Sequence, residues 1–380
     1  MNKIKESPLT IIISIMILIF FSGYLFNRDS VFSESENRYL AARPGITLTG
    51  LADGSFMEQF ELYTEERLPL RDGLIKLKAC AEQMQIKNEN NGIVKGREGY
   101  LFEKLVAVSP QLEKNSAAIV NFAGKCGRDI NVCIVPNSCE VLKDKLPAGF
   151  PNISQVDEIS DLYNTLGGMD NVTAIDMYDI LNEHRDEYIY YRTDHHWTTQ
   201  GAYFGYIKLC EEMGLKPVNM DELAGRRNDI PGFLGTYYSK YKGYGIESDV
   251  LTYYDISISD YEAGGVRHEG LYDLDRLNIY DKYAMFMYGN EGLSTVRSES
   301  SDGKERRSEL ILFKDSYSNC LIPFLTYNYD TIMIIDLRYY NASVKELLSE
   351  HDGADVLLLY NFMHYNEDNH FYRLVSDLKQ

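Results

Sequence analysis

The chain has 380 residues, with 38 Lys and Arg against 57 Asp and Glu, a formal net charge of −19 at neutral pH. So large an acidic excess excludes nucleic acid as a partner, and also adhesion to anionic lipid, because the long-range field repels both. The six cysteines (Cys80, Cys126, Cys133, Cys139, Cys210 and Cys320) form no C-x-x-C pair and no zinc spacing, which excludes a disulfide scaffold and a zinc-finger class. Mostly reduced, buried thiols are expected, with one bridge among Cys126, Cys133 and Cys139 left open.

The first element is apolar. Residues Leu9 to Phe26 read LTIIISIMILIFFSGYLF without a charge. A helix of that length just reaches across a hydrocarbon core of about 30 Å. Lys3 and Lys5 precede it, and Arg28, Asp29, Glu34 and Glu36 follow. The positive-inside rule then makes 1–8 a cytoplasmic tail, 9–26 a transmembrane anchor and 27–54 a polar stalk, with the body outside the cytoplasm. The alternative is a cleaved signal peptide, although no A-x-A-like site follows. Either way the body is exported.

Residues 55–89 predict two helices broken at Pro69, the second carrying Leu74, Leu77, Ala81 and Met84 at helical spacing. Residues 91–103 predict a hairpin around a Gly-rich turn. Then helical and short apolar segments alternate. Helices are expected over 112–125, 153–167 and 202–213, and buried strands at NVCIVP (131–136) and VTAID (172–176), with a strand-like YIYY at 188–191. Residues 217–308 break the alternation. They are rich in Gly and Tyr and predict an inserted, β-rich lobe in the domain 55–380. The alternation resumes with strands at LILF (310–313), IMII (332–335) and VLLLY (356–360), and helices near 318–327, 343–351 and 367–378. This pattern predicts an α/β fold with parallel strands and crossover helices.

Reactive groups in such a sheet gather past the carboxyl ends of the strands. Lys314-Asp315-Ser316 follows LILF and precedes a helix, where backbone N–H groups can hold an oxyanion. The competing reading is an ordinary helix cap. Asp194-His195-His196-Trp197 lies on a loop, and Asp and His two apart can touch, as a triad requires. Metal ligation and a structural His pair compete with that reading. Asn361 follows VLLLY, where its amide could donate to an oxyanion or simply close a turn. Gly289 to Gly292 reads as a turn rather than a second oxyanion loop, and His364 and His370 need no special role. No metal and no cofactor are expected.

Together these segments resemble the conserved blocks of SGNH hydrolases in rotated order. The late strands and the Asp/His block come first, and the Ser, second and Asn strands come last. An Asp-x-His before the Ser is the order of the alginate O-acetyltransferase-like proteins. The closer resemblance is to the DHHW family, through Asp194-His195-His196-Trp197 and through SESENRYLAARP, RLPLRDGL, GREGYLF, KDSYSNCLIPFL and DLRYYN. It covers nearly all of the chain after the anchor and implies a circularly permuted, SGNH-like (flavodoxin-like) parallel sheet with flanking helices.

Position by position, the resemblance makes Ser316 the nucleophile, His196 the general base and Asp194 its orienting carboxylate. The Ser316 N–H and Asn361 would be oxyanion donors. Arg338 would hold the donor or a sugar oxygen, and His195 and Trp197 would line the same site. Two departures stand out. Lys314 replaces the Gly of the usual Gly-Asp-Ser, and Asp-x-x-His is shortened to Asp194-x-His196, which leaves open whether His195 or His196 faces the serine. The implied function is O-acetyl transfer to a cell-surface or exported polysaccharide, with the acyl group handed over by a membrane-bound O-acyltransferase. A carbohydrate acetylesterase uses the same triad. A non-catalytic glycan-binding or scaffold component of the cell envelope is the reading of another class.

Overall fold

Aliphatic runs without polar alternation become strands when both faces of a sheet are covered. In the computed structural model, which describes residues 8–26, 31–33, 38–85, 87–299 and 306–378, those runs form the centre of one sheet. Its strands in chain order are β1 (Ile130–Val135), β2 (Val172–Ala174), β3 (Ile258–Ala263), β4 (Val266–His268), β5 (Leu293–Ser298), β6 (Arg307–Lys314), β7 (Tyr329–Ile335) and β8 (Asp355–Asn361). Their spatial order is β4-β3-β5-β7-β6-β8-β1-β2. From β7 to β2 all pairings are parallel, and β5, β3 and β4 add an antiparallel edge.

Alternate residues of the central strands serve two cores. Leu310, Leu312, Leu357 and Leu359 face one, with Tyr206 and Leu209 of the helix Thr199–Met213. Ile311, Phe313, Val356 and Leu358 face the other, with Phe122 of the helix Pro110–Lys125 and Ile159 and Leu162 of the helix Gln155–Leu166. These helices agree with the predicted ones within a few residues.

Several expectations need correction. Strand β2 is at the sheet's edge and only half-buried, because a single neighbour covers it. YIYY makes no strand, only an isolated bridge from Tyr190 to Trp197. The last helix starts at Phe362, directly after Asn361, and ends at Glu367, ahead of a 3-10 turn Phe371–Leu374. The inserted segment is rich in strands as expected, but three of them extend the main sheet. Among the described residues of the segment, only the strand pair Arg227–Phe233 with Asp249–Tyr254 pairs apart from it. All six cysteines are free, and Cys80 and Cys126 are only half-buried.

The chain divides into two units: Met1–Asn90 with Ser239–Gly245, and Asn91–Tyr238 with Ile246–Gln380. In the first, the apolar segment is one helix, Pro8–Phe26, of 19 residues. Among the described residues no helix is long and apolar enough to cross a membrane. Helices Ser55–Glu66 and Arg71–Met84 flank Pro69 as predicted, but Leu74, Leu77 and Met84 are exposed rather than packed. The predicted stalk contains a short helix, Leu48–Asp53, and the predicted tail lies outside the described residues, apart from Pro8.

Candidate active site

Strand β6 delivers Ser316. Asp315 leaves the strand in extended conformation and caps the 3-10 helix Ser316–Cys320, its Oδ1 accepting the Tyr317 N–H at 2.9 Å. Its Oδ2 accepts the Asn361 N–H at 2.8 Å. One buried carboxylate therefore ties the end of β6 to the end of β8. As the first residue of that helix, Ser316 has a backbone N–H with no acceptor within the helix. Asn361 is itself a cap: its Oδ1 accepts the Met363 N–H at 2.9 Å, and its Nδ2 makes one long bond, 3.5 Å, to the Val135 carbonyl. The turn reading of Asn361 therefore holds, while its Nδ2 keeps donor capacity.

The Asp/His loop is placed differently. It has no strand to ride on. Its start is held by Asp249, a buried carboxylate that accepts from the Arg192 N–H at 3.0 Å, the Thr193 N–H at 2.8 Å and the Thr193 hydroxyl at 2.6 Å, as well as the Tyr188 hydroxyl. Its end is the N-cap of the helix Thr199–Met213, with Thr198 Oγ1 accepting the Gly201 N–H at 3.2 Å. Between these ends, Asp194 Oδ1 accepts the His196 N–H at 3.0 Å and Oδ2 accepts the Thr236 N–H at 2.7 Å. Gly235 makes this approach feasible: a Cβ there would lie 2.2 Å from Asp194 Oδ2.

Asp194, His196 and Ser316 form a continuous relay. The Nδ1 of His196 is 2.6 Å from Asp194 Oδ1, and its Nε2 is 2.8 Å from Ser316 Oγ. Burial pushes the Asp194 carboxyl up, but the neighbouring His195 and His196 charges, with the bonds from His196 and the Thr236 N–H, outweigh it and hold the group well below the usual carboxylate range. His196, not His195, faces the serine. His195 lies beside it, one-third exposed, with its Nδ1 3.6 Å from Asp194. Asp194, His195 and His196 each bring a ligand atom within 4.8 Å of the others. Hydrogen bonds already occupy both Asp194 oxygens and both His196 nitrogens.

Trp197 does not line the site. It is buried, and its Nε1–H donates to the Tyr317 carbonyl at 2.8 Å, bracing the serine turn from below. Arg338 stands at the end of β7, one-quarter exposed, gripped by Asp336 through Nε at 2.9 Å and Nη2 at 2.6 Å. Lys314, the departure from Gly, is buried, and its Nζ bonds Asn290 Oδ1 at 2.7 Å and Asn319 Oδ1 at 2.8 Å. Burial brings its ammonium down to about 8. The predicted turn at 289–292 is thus a partner of this lysine. His370 bonds Asp368, and His364 lies 3.7 Å from the same carboxylate.

Three partners escape sequence reasoning: Asp249, the Gly235–Thr236 backbone and Tyr283. The Tyr283 ring stacks on His196 with centroids 3.7 Å apart and planes 13° apart, and its hydroxyl donates to the Ser316 carbonyl at 3.1 Å. All three lie in the inserted segment, where the only signal was an abundance of Tyr and Gly.

Comparison with known proteins bears on this arrangement. The family model described as DHHW protein matches residues 104–335. A crystal structure of a DHHW family protein from Eubacterium siraeum is similar with a TM-score of 0.62 at 24% identity, covering 77% of this chain and 97% of that one. PatB1 from Bacillus cereus is similar with a TM-score of 0.59 at 18% identity, over 73% of this chain and 97% of that one. The same protein with a sulfonyl adduct gives 0.57 at 16% identity, over 74% and 98%. At these identities the likeness is one of fold. No curated protein matches the sequence at a significant level.

Proposed function

The chain belongs to the DHHW family, and we propose that it is an acyl-transfer enzyme using Ser316, His196 and Asp194. We further propose that it is an O-acetyltransferase for a cell-surface or exported polysaccharide. The observation that carries the reading is the unbroken relay from Asp194 through His196 to Ser316 Oγ, at 2.6 and 2.8 Å. A buried, ionised carboxylate behind Nδ1 fixes the tautomer that leaves Nε2 free to accept the serine proton.

The chemistry is a double displacement. Ser316 Oγ attacks the carbonyl carbon of an acetyl ester or thioester while His196 Nε2 takes its proton. The tetrahedral oxyanion is received by the Ser316 N–H and the Asn361 amide. One such donor is typically worth about 10²–10³ in rate. The carbonyl re-forms, the donor's alcohol or thiol leaves with the proton from His196, and acetyl-Ser316 remains. A sugar hydroxyl then attacks the acetyl-serine, giving its proton to His196; the acetyl–Oγ bond breaks, His196 passes that proton to Ser316 Oγ, and the acetylated sugar leaves. Arg338 would hold the donor or a sugar oxygen from the end of β7.

The remaining parts of the reading are proposals of the same standing. The strand order is read as a circularly permuted SGNH sheet. The helix Pro8–Phe26 is read as a membrane anchor for an extracytoplasmic body, placed beside a membrane-bound O-acyltransferase that supplies the acyl group. Release of the full-length chain by alkaline carbonate extraction of membranes overturns the anchor.

The test of the enzyme uses the full-length chain in detergent with a fluorophosphonate or an aryl sulfonyl fluoride. Covalent label is expected on Ser316 and is expected to vanish in Ser316→Ala and His196→Ala while circular dichroism is unchanged. An unlabelled wild-type chain, or a Ser316→Ala chain that still labels, sinks the reading. Acetyl-serine that decays only when a glycan is added separates transfer from hydrolysis.

A further inference from the structure

Three consecutive residues of the inserted segment, Met287, Tyr288 and Gly289, have left-handed backbones, with φ of 56°, 57° and 94°. For the two non-glycine residues this is unfavourable, and it persists only where the surroundings over-determine it. Here they do. The Met287 N–H donates to the Leu271 carbonyl at 2.8 Å, and the Met287 carbonyl accepts the Tyr261 hydroxyl at 2.7 Å. The Tyr288 ring stacks on His268 with centroids 3.7 Å apart.

The left-handed triplet separates two side chains that reach the nucleophile's turn from different directions. Ahead of it, Tyr283 lies flat on His196, and its hydroxyl touches both the Ser316 carbonyl and Cys320 Sγ, at 3.1 and 3.4 Å. After it, Asn290 Oδ1 accepts from Lys314 Nζ at 2.7 Å and from Asn319 Nδ2 at 3.2 Å, and the Gly289 carbonyl accepts from the same Asn319 amide at 3.3 Å. The segment 283–290 therefore holds the turn before the serine at Lys314, at the serine carbonyl, and after it at Asn319 and Cys320.

We infer that residues 283–290 form a clamp that sets Ser316 Oγ against His196 Nε2, with Tyr283 and Asn290 as positioning residues. The inference rests on the acyl-transfer reading above. Neither residue donates or accepts the transferred proton. Tyr283 fixes the plane of the imidazole, and its face favours the imidazolium that forms as Ser316 gives up its proton. Asn290 gives the buried Lys314 ammonium one of its two side-chain acceptors and so holds the last residue of β6. Lys314 in place of Gly is then part of the site's construction, since an ammonium there gives the inserted loop something to bind.

The experiment measures fluorophosphonate labelling of the full-length chain in detergent, resolved into the maximal rate and the half-saturating concentration. Because small misplacements of a reacting group cost up to about 10²-fold, Tyr283→Leu is expected to lower the maximal rate roughly 10- to 100-fold with half-saturation unchanged. Tyr283→Phe keeps the stacked ring but loses the hydroxyl's hold on the Ser316 carbonyl, and is expected to lose less than Tyr283→Leu, roughly 3- to 10-fold, while Asn290→Ala loses roughly 10-fold and Asn290→Asp, which keeps an acceptor, recovers it. If Tyr283→Leu does not fold, the Asn290 pair decides alone. Wild-type maximal rates in the folded Tyr283→Leu and Asn290→Ala chains overturn the clamp and leave the enzyme reading standing. A wild-type chain that never labels overturns both.

Discussion

Ser316 and His196 stand 2.8 Å apart but are placed by unlike means. The serine turn is the end of a central strand, hydrogen-bonded along its length to parallel neighbours on both sides. The histidine loop has one isolated bridge and is otherwise held by scattered contacts: Asp249 and the Tyr238 N–H at its start, the Thr236 N–H on Asp194, and the Tyr283 ring stacked on His196. Regular structure fixes the nucleophile as a consequence of folding the core. The base is fixed by individual side-chain and backbone contacts rather than by a strand ladder, although Tyr283 and Trp197 also belong to the buried core. Damage to the loop should therefore remove activity faster than stability, and the following substitutions measure that asymmetry.

The largest effect is expected from Asp194→Asn. The substitution keeps the size of the side chain but removes the carboxylate that selects the His196 tautomer, so labelling of Ser316 should fall roughly 10³–10⁴-fold. A pH series adds a second reading. The Asp194 carboxyl is held below its ordinary value, so its contribution to stability is complete above about pH 4 and is lost as pH falls below that. The denaturant midpoint of the wild type should therefore drop more steeply below about pH 4 than that of Asp194→Asn. Parallel curves mean that Asp194 is not ionised behind the histidine.

The same asymmetry explains what was legible in the sequence. Strands β6, β7, β8 and β1 could be read because LILF, IMII, VLLLY and NVCIVP have no polar alternation, as strands covered on both faces require. Ser316 followed from its place after β6, and Asp194 and His196 from their spacing and family resemblance. What resisted reading was long-range and polar. Nothing in the local sequence of Asp249 shows that it will accept four hydrogen bonds from Tyr188, Arg192 and Thr193. Arg338 could be placed at a strand end, but not its bidentate grip on Asp336. Periodicity also misled. Leu74, Leu77 and Met84 keep helical spacing yet lie exposed, because spacing describes a face and says nothing of what covers it.

A middle-sized effect is expected at Gly235, which carries no chemistry. A Cβ there meets Asp194 Oδ2 at 2.2 Å and its Cγ at 2.6 Å, so in Gly235→Ala the carboxylate must move. Labelling should fall roughly 10- to 100-fold, since Asp194 orients the base through a bond it can no longer make well. Overpacking of this kind typically costs about 1–3 kcal/mol, so the chain should still fold. Wild-type labelling in a folded Gly235→Ala chain means that the loop tolerates displacement, and the contrast between the two halves of the site fails.

Trp197→Phe should give the smallest loss of activity, because Trp197 belongs to the loop but serves the turn. Its Nε1–H fills the Tyr317 carbonyl at 2.8 Å, one residue after the nucleophile, and it touches neither reacting group. Phenylalanine leaves that buried carbonyl only the weak Cys320 thiol at 3.8 Å, at a typical cost of about 1–3 kcal/mol, and leaves space where the indole was. A shift in melting temperature of several degrees is expected, with labelling changed only a few-fold at a temperature where the variant is folded. Gly235→Ala should lose far more activity, roughly 10- to 100-fold, for a stability cost of similar size. If Trp197→Phe instead loses activity as steeply as Gly235→Ala, the serine turn is held by the loop rather than by the sheet, and the two halves are one construction.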